Sequence, residues 1–495
     1  MGVEIELKFQ VSPGRLAAVK RAVATRSAER IDLHASYQDT ADGRLAAARL
    51  AWRVRREGAR WVQTLKGPGD GLAHRLEHEV DCAPVPDGQV PKADVGLHAG
   101  TLAGRLLANT LAGAGPVQQV YATEIVRIRR VLRHGGARIE LALDIGEVVA
   151  GNRRAPVCEL EMELLQGPLA ALWSLARSWA GRFGLLLDPA TKSERAQWLA
   201  AGAGTDMPAR PVARAREPAL ARGLPLGVAR AAMVGAALAH GLPNAAAVTG
   251  GAATPDHVHQ LRVALRRLRS VLRALGPADA TRDDALRALF AALGRRRDAD
   301  VMRDTLSPAW AAADAAGWPR PPLPDVEDTA ATALASPATT ALWLDLLAQA
   351  VPPEAGFDDD QAWDGVVRHK LQRWRRSARR LAADWDELDT VNRHRLRKQL
   401  KRLRYLLEYA APLLPARRLR AELEHLRPLQ EALGHWNDLA VAREHLAAWP
   451  QPTPAVLFAA GWLARASQVA EADCGRAIRR WRAADDGLRG SDLKR

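Results

Sequence analysis

From residue 3 onward, apolar and polar residues alternate with period two in one short run after another. Val3-Glu4-Ile5-Glu6-Leu7-Lys8-Phe9 is the first, and runs at 50–56, 76–80, 125–132, 137–145 and 157–165 repeat the pattern. Such alternation predicts strands, whose successive side chains point to opposite faces. The polar faces carry Glu, Lys and Arg in strand after strand, which fits either solvated outer faces or a closed barrel with a charged bore. Helices are expected over 13–25, 102–111 and 168–183.

The pattern changes after residue 202. Gly204, Pro208, Pro211, Pro218 and Pro225 mark a linker over 203–224. Beyond it Leu261, Leu265, Leu268, Leu272 and Leu275 follow helical spacing and predict a packed helix. A Pro-rich, acidic stretch at 318–360 predicts loops around one short helix. An internal repeat organises this half. His259-x-x-Arg262-x-x-x-Arg266-x-x-Arg269 recurs 135 residues later as His394-x-x-Arg397-x-x-x-Lys401-x-x-Arg404. Leu293-Gly294-x-x-Arg297-Asp298 likewise returns as Leu433-Gly434-x-x-Asn437-Asp438, 140 residues on. The expectation is an α+β chain: a β domain over 1–202, the linker, and a duplicated helical domain over 225–490.

A chain of 495 residues is too long for one core, in keeping with this division. Its net charge of +15 favours polyanionic partners: nucleic acid, polyphosphate, anionic membrane or phosphate esters. Residues 1–202 hold 27 Lys and Arg against 22 Asp and Glu, and residues 203–495 hold 44 against 34, so the excess is larger in the helical half. Cys82, Cys158 and Cys474 match no metal or disulfide spacing and predict reduced thiols in a cytoplasmic protein. The start, MGVEIELKFQV, lacks the basic and apolar regions of a signal peptide, and apolar stretches such as 229–239 are too short to span a bilayer. No membrane partner is expected.

On a strand, Glu4, Glu6 and Lys8 share one face. Paired carboxylates repel unless a cation lies between them, and a hard divalent ion supplies that charge. Arg53 with Arg55, Lys66 beside a turn, Arg75 with Glu77 and Glu79, Arg127 with Arg129, Arg138 with Glu140 and Asp144, and Glu159 with Glu161 and Glu163 extend this two-signed face from strand to strand. Either a tunnel lined by both signs or internal salt bridges would produce it.

The ordered set of ExExK, Tyr37-Gln38-Asp39-Thr40, WRVR, QTLKG, ALDIGEVVAG and ELEMEL resembles the CYTH superfamily, the triphosphate tunnel metalloenzymes, over roughly residues 1–200. The resemblance implies an antiparallel β-barrel tunnel that hydrolyses triphosphate with Mg²⁺ or Mn²⁺. It implies metal ligation by Glu4, Glu6 and Glu161, with Glu159 or Glu163 beside Glu161, and with Asp144 binding a second metal or orienting a basic residue. It also implies a phosphate cradle of Lys8, Arg53, Arg55, Lys66, Arg127 and Lys192, the last in Ala190-Thr191-Lys192-Ser193-Glu194-Arg195. No P-loop, dinucleotide fingerprint or HExxH motif competes with this reading. Trp52, Trp61, Trp173, Trp179 and Trp198 are expected in the core.

The helical half, about residues 225–485, resembles the CHAD domain through DHVHQLRVALRRLR, GRRRDADV, NRHRLRKQLKRLRYLLE and LQEALGHWNDLAV. The resemblance implies two pseudo-symmetric four-helix bundles and a basic groove for inorganic polyphosphate, formed by His259, Arg262, Arg266, Arg269, Arg297, His394, Arg397, Lys401 and Arg404. Lys401 and Asn437 stand where the first copy has Arg266 and Arg297, so the two basic surfaces need not bind equally well. Association with polyphosphate granules would follow. The expected substrate is inorganic triphosphate, releasing pyrophosphate and phosphate. The alternatives are an organic triphosphate such as thiamine triphosphate or a nucleotide, cyclisation of ATP, and non-catalytic polyphosphate binding. Specific nucleic-acid binding is not expected, because few Tyr or Phe accompany the basic stripes.

Overall fold

The computed structural model describes residues 4–67, 74–86, 89–202, 210–313, 317, 329–353, 361–449, 451 and 453–486. The side chains of Glu4 and Arg75, both singled out from the sequence, lie outside the described part.

Nine strands build the N-terminal half: β1 (Glu4–Gln10), β2 (Glu29–Thr40), β3 (Ala51–Glu57), β4 (Arg60–Gly67), β5 (His74–Asp81), β6 (Val117–His134), β7 (Ala137–Ala150), β8 (Arg153–Gln166) and β9 (Leu186–Leu187). Neighbours run β5-β4-β3-β2-β6-β7-β8-β1-β9, all antiparallel. Strand β1 also pairs with β5 through Glu4↔Arg75 and Ile5↔His74, which closes the first eight strands into a barrel. The β6–β7 hairpin turns through Gly135 and Gly136, at φ 53° and 81°. Only glycine takes two such angles in succession without strain, and the resulting twist matches that of the strands.

Helices α1 (Pro13–Val23), α2 (Arg44–Ala47), α3 (Leu102–Leu111), α4 (Leu169–Phe183) and α5 (Lys192–Ala201) accompany the barrel. The apolar outer residues Leu7, Phe9, Leu141, Leu143, Leu160 and Met162 are buried on the side of the barrel that α1 and α4 cover. Trp52 and Leu65 pack with Leu45, Ala103 and Leu107 under α2 and α3. The bore is not charged along its whole length, as the sequence suggested. Side chains two apart share a face. On β6, therefore, Tyr121, Thr123 and Ile125 precede Arg127 on the inner face, and on β8 Ala155 and Val157 precede Glu159 and Glu161. The apolar end takes Ala196 and Leu199 of α5 against Leu33, Ala35, Tyr37, Tyr121, Val148 and Val157. Helix α5 thus fills one end of the barrel and brings its first residue, Lys192, to the start of the charged zone.

The remaining helices are α6 (Leu226–Thr249), α7 (Pro255–Leu275), α8 (Ala280–Val301), α9 (Ser307–Ala313), α10 (Thr329–Leu334), α11 (Pro337–Gln349), α12 (Trp363–Ala383), α13 (Thr390–Tyr409), α14 (Ala416–Ala447) and α15 (Pro454–Asp486). A π-helical turn, Met302–Leu306, joins α8 to α9. Helices α7 and α13 carry the first repeated motif, and α8 and α14 the second. Two helices, not one, occupy the described part of 318–360, because Leu342, Trp343, Leu344, Leu346 and Leu347 give α11 a buried face. Helix α6 outruns the apolar stretch seen in the sequence. Its 24 residues suffice in length and composition to cross a bilayer, but 72% of its most apolar window is buried, as in a core helix.

The chain resolves into two compact units. One comprises residues 1–214 with 239–257 and 334–348, and the other the rest of the helical half. The segment after α5 has no regular structure over 210–221, and Arg210 and Ala213 bond Asp188 and Asn244 within the first unit.

Candidate active site and polyanion surface

Lys8, Arg53, Arg55, Lys66, Arg127 and Lys192 line one cavity of 920 Å³, together with Glu6, Asp144, Glu161 and Glu163. Its centre is a network of alternating charge. Glu161 receives Lys8 at 2.7 Å, Arg127 at 2.6 Å and Lys192 at 3.0 Å. Asp144, with no solvent exposure, accepts from Nε and Nη2 of Arg127, both at 2.7 Å, and meets Lys192 at 2.6 Å. Glu159 is equally buried and pairs with Lys192 and with Arg195. Burial alone would raise the Glu161 carboxyl, but Lys192, Lys8 and Arg127 hold it well below the usual range. Burial would likewise lower the Lys8 and Lys192 ammoniums, but their carboxylate partners hold both above the ordinary value. Lys8, Lys192 and Glu161 are therefore ionised near neutral pH.

Ligand atoms of Asp144, Glu159 and Glu161 fall within 4.8 Å of one another, a grouping able to hold a metal ion. Glu163 lines the cavity but lies outside this trio, which includes Glu159. Oε1 of Glu6 is buried, lies 3.2 Å from the Lys8 ammonium and accepts no hydrogen bond.

The opposite wall is richer in cations. Arg53 lies 3.4 Å from the Tyr37 hydroxyl. Burial, then Arg53 and Arg127, push the Arg55 guanidinium down to about 10, and Glu57 and Glu79 only partly offset this. A cation held down by burial and by like charges is poised for an anion. Lys66 pairs with Glu77 of β5 at 2.9 Å. Arg129, 43% exposed, is tied to Glu29 at 3.0 Å, with Glu140 4.0 Å away, and Arg138 is exposed.

The cavity also includes residues the sequence did not single out. Arg49 lines it with φ 59°, the one left-handed non-glycine backbone among the described residues. Trp198 is half-exposed at the cavity rather than in the core, and Trp61 and Trp179 are only partly buried, whereas Trp52 and Trp173 are buried.

In the helical unit the two repeats face each other, so the two basic surfaces expected from the sequence form one. Arg266 of the first copy lowers the pKa of Arg262 in its own helix and of Arg397 and Lys401 in the second copy. Burial is the largest cause at all three, bringing Arg262 to about 9 and Arg397 to about 10. The equivalent Asp298 and Asp438 are the carboxylates felt within this cluster, and Arg297 acts on Arg262. Phe290 lies under both Arg262 and Arg266, at 4.2 and 4.9 Å. Arg269 is drawn aside, bonding Asp283 at 3.2 Å, and Arg404 pairs with Glu408 at 3.1 Å. His394 packs on Trp436 at 5.1 Å, and burial, Arg397 and Lys398 lower its pKa, which leaves it a neutral donor at pH 7. His259 precedes Arg262 by one turn of α7.

The chain thus combines a closed barrel, with clustered carboxylates and cations inside, and helices that pool basic residues from two repeats. Residues 2–196 match the family model of the CYTH domain and residues 232–447 that of the CHAD domain, so the chain is a CYTH domain followed by a CHAD domain. Among curated proteins it is 26% identical over 202 residues to the inorganic triphosphatase of Haemophilus influenzae. That match spans 40% of this chain and 54%, about half, of the relative. Among solved structures, the CHAD domain from the plant Ricinus communis is 31% identical, covering 54% of this chain and 95% of that one at a TM-score of 0.45. The protein HpAC1 from Hippeastrum, which shows a dominant triphosphatase activity, is 20% identical, covering 39% and 95% at a TM-score of 0.29.

Proposed function

We propose that the barrel hydrolyses inorganic triphosphate to pyrophosphate and phosphate, and that the helical domain holds inorganic polyphosphate. The observation that carries the first part is the arrangement of Glu6, Asp144 and Glu161 with Lys8, Arg53, Arg55, Arg127 and Lys192 around one cavity, with Glu159 buried behind Lys192. The match to a named inorganic triphosphatase supports it.

The donor set fits a hard divalent ion such as Mg²⁺ or Mn²⁺. All its atoms are carboxylate oxygens, and Glu6 Oε1 is buried without a hydrogen-bond donor. Glu6, Glu159 and Glu161, with Asp144, would hold the ion, and it would supply Lewis-acid withdrawal of charge from phosphate oxygens. The protein's own part is electrostatic. Arg53 and Arg55 present a cation surplus to the phosphate chain. Lys8, Arg127 and Lys192 donate to its oxygens from fixed positions, so little reorganisation is needed as charge develops. Burial of these groups strengthens each contact. No side chain is required as a nucleophile, because water attacks the terminal phosphorus.

Inorganic substrate is favoured over organic because the aromatic groups at the cavity are already engaged. Tyr37 stacks on Tyr121 at 4.9 Å, and Arg210 covers Trp198 at 5.5 Å. The test is phosphate release from tripolyphosphate, pyrophosphate, ATP and thiamine triphosphate, with Mg²⁺ and Mn²⁺ in parallel. Tripolyphosphate should give the largest kcat/KM, and equal values for ATP or thiamine triphosphate would replace this reading with an organic substrate.

A further inference from the structure

Arg210 lies beyond the last residue matched to the CYTH domain, yet it is wired into the cavity. Its guanidinium grips Asp188 in a bidentate pair, Nη1 to Oδ1 at 3.1 Å and Nη2 to Oδ2 at 2.6 Å. Asp188 is 1% exposed. Its backbone N–H donates to the carbonyl of Lys8 at 3.0 Å, and its Oδ2 accepts from Arg195 at 3.2 Å. Arg195 is 3.1 Å from Glu159, and Glu159 holds Lys192. A single buried carboxylate therefore joins β1, α5 and the segment after α5. Burial would raise the Asp188 carboxyl, but Arg210 first and then Arg195 hold it below its ordinary value.

Arg210 is itself fixed. His257 accepts at Nδ1 from the Thr254 N–H at 3.0 Å, so its Nε2 carries the proton and donates to the Arg210 carbonyl at 3.0 Å. Three residues on, Ala213 makes two hydrogen bonds with the Asn244 side chain, at 3.2 and 3.0 Å. The Arg210 guanidinium lies over the Trp198 ring of α5.

We propose that Arg210 is a positioning residue for triphosphate binding. By neutralising half of Asp188 it leaves Arg195 shared between Asp188 and Glu159, which sets the first turn of α5 and with it the ammonium of Lys192. Without Arg210, the buried Asp188 charge draws Arg195 toward itself and away from Glu159, because an uncompensated buried charge is strongly unfavourable. Lys192 then becomes the sole counter-ion of Glu159 and is less available to phosphate. This rests on the triphosphatase reading above.

The test uses the full chain carrying Arg210→Ala or Arg210→Lys. In Arg210→Ala, amide hydrogen exchange in α5 should quicken about tenfold while β6–β8 stay protected. KM for tripolyphosphate should rise about tenfold with kcat changed less than about twofold. Arg210→Lys, which keeps the charge but not the fork, should fall between. Unchanged α5 exchange with unchanged KM overturns the proposal. So does a lower kcat and Tm at constant KM, the signature of lost structure alone. Should the wild-type chain release no phosphate from tripolyphosphate, the hydrolase reading fails, and the exchange measurement still decides whether Arg210 sets α5.

Discussion

Lys192 opens α5 with its ammonium 2.6 Å from the Asp144 carboxylate of β7, which has no exposure to solvent. A capping box fixes that end of the helix: Thr191 accepts from the Glu194 N–H and Glu194 from the Thr191 N–H. The lysine therefore reaches the bore from a rigid helix start and not from a mobile loop. Removing its charge should leave Asp144, Glu159 and Glu161 short of a counter-ion. Lys192→Met is expected to lower unfolding stability by about 3 kcal/mol, the usual cost of breaking a buried pair. Urea denaturation at pH 7 measures it.

Glu6→Gln should leave the barrel standing and stop the chemistry. Among the described residues Glu6 has one cation neighbour, against three for Glu161, so its neutralisation disturbs the network least while removing a metal oxygen. Metal-dependent phosphate release from tripolyphosphate should fall about 100-fold or more with Tm within a few degrees of wild type, since loss of charge at a metal or transition-state contact has effects of that order. Near-normal turnover at low metal would remove Glu6 from the site.

Polyphosphate binding by the helical domain should consume protons in mild alkali. In the ligand-free protein, burial and neighbouring cations lower Lys401 well below its ordinary value and bring Arg262 to about 9. A bound polyanion favours the charged forms and raises both. Affinity should thus be greatest below these ligand-free values and decline as pH rises through them. Calorimetry at pH 9 in buffers of different ionisation heat should show net proton uptake, and log affinity should fall linearly with log salt. Arg262→Ala with Arg266→Ala should weaken binding more than Arg269→Ala, because Asp283 already engages Arg269.

Acid should loosen the barrel beside β5. Nδ1 of His78 in β5 lies 2.8 Å from Nδ1 of His98, and His98 is buried. Burial, then His78, lower His98 to about 4, with Asp94 partly opposing. A histidine whose folded pKa is lowered takes up its proton more readily when unfolded, so stability falls as pH drops from about 6.5 toward about 4. His98→Asn should flatten Tm across that window, and an unchanged profile would place the acid sensitivity elsewhere.

Much of this was legible in the alternation of polar and apolar residues. The register that puts Glu6 and Lys8, or Arg53 and Arg55, on one face is local, and a strand must honour it. Strand β2 was harder to see, because Ala35 and Ser36 blur its contrast and its inner residues are apolar where they meet α5. The meeting of Lys192 with Asp144 depends on a helix entering a barrel, and no spacing encodes that. The repeat likewise disclosed two basic stripes but not that Arg266 and Lys401 would share a field. The clamp on Asp188 escaped notice because Arg210 sits among prolines in what reads as linker.

Helix α5 gives the bore a direction. Under it, Leu33, Ala35, Val148 and Val157 offer an extended polyanion neither charge nor hydration, so no chain of phosphates can thread through that end. On the triphosphatase reading proposed above, a longer phosphate polymer would enter by its terminus and retreat by the same door. Cleavage would then trim ends and never cut the middle, the shortened chain having to withdraw before the fragment freed at the closed end can leave. Inhibition by pyrophosphate lodged at the entrance would be the kinetic mark of such a cul-de-sac.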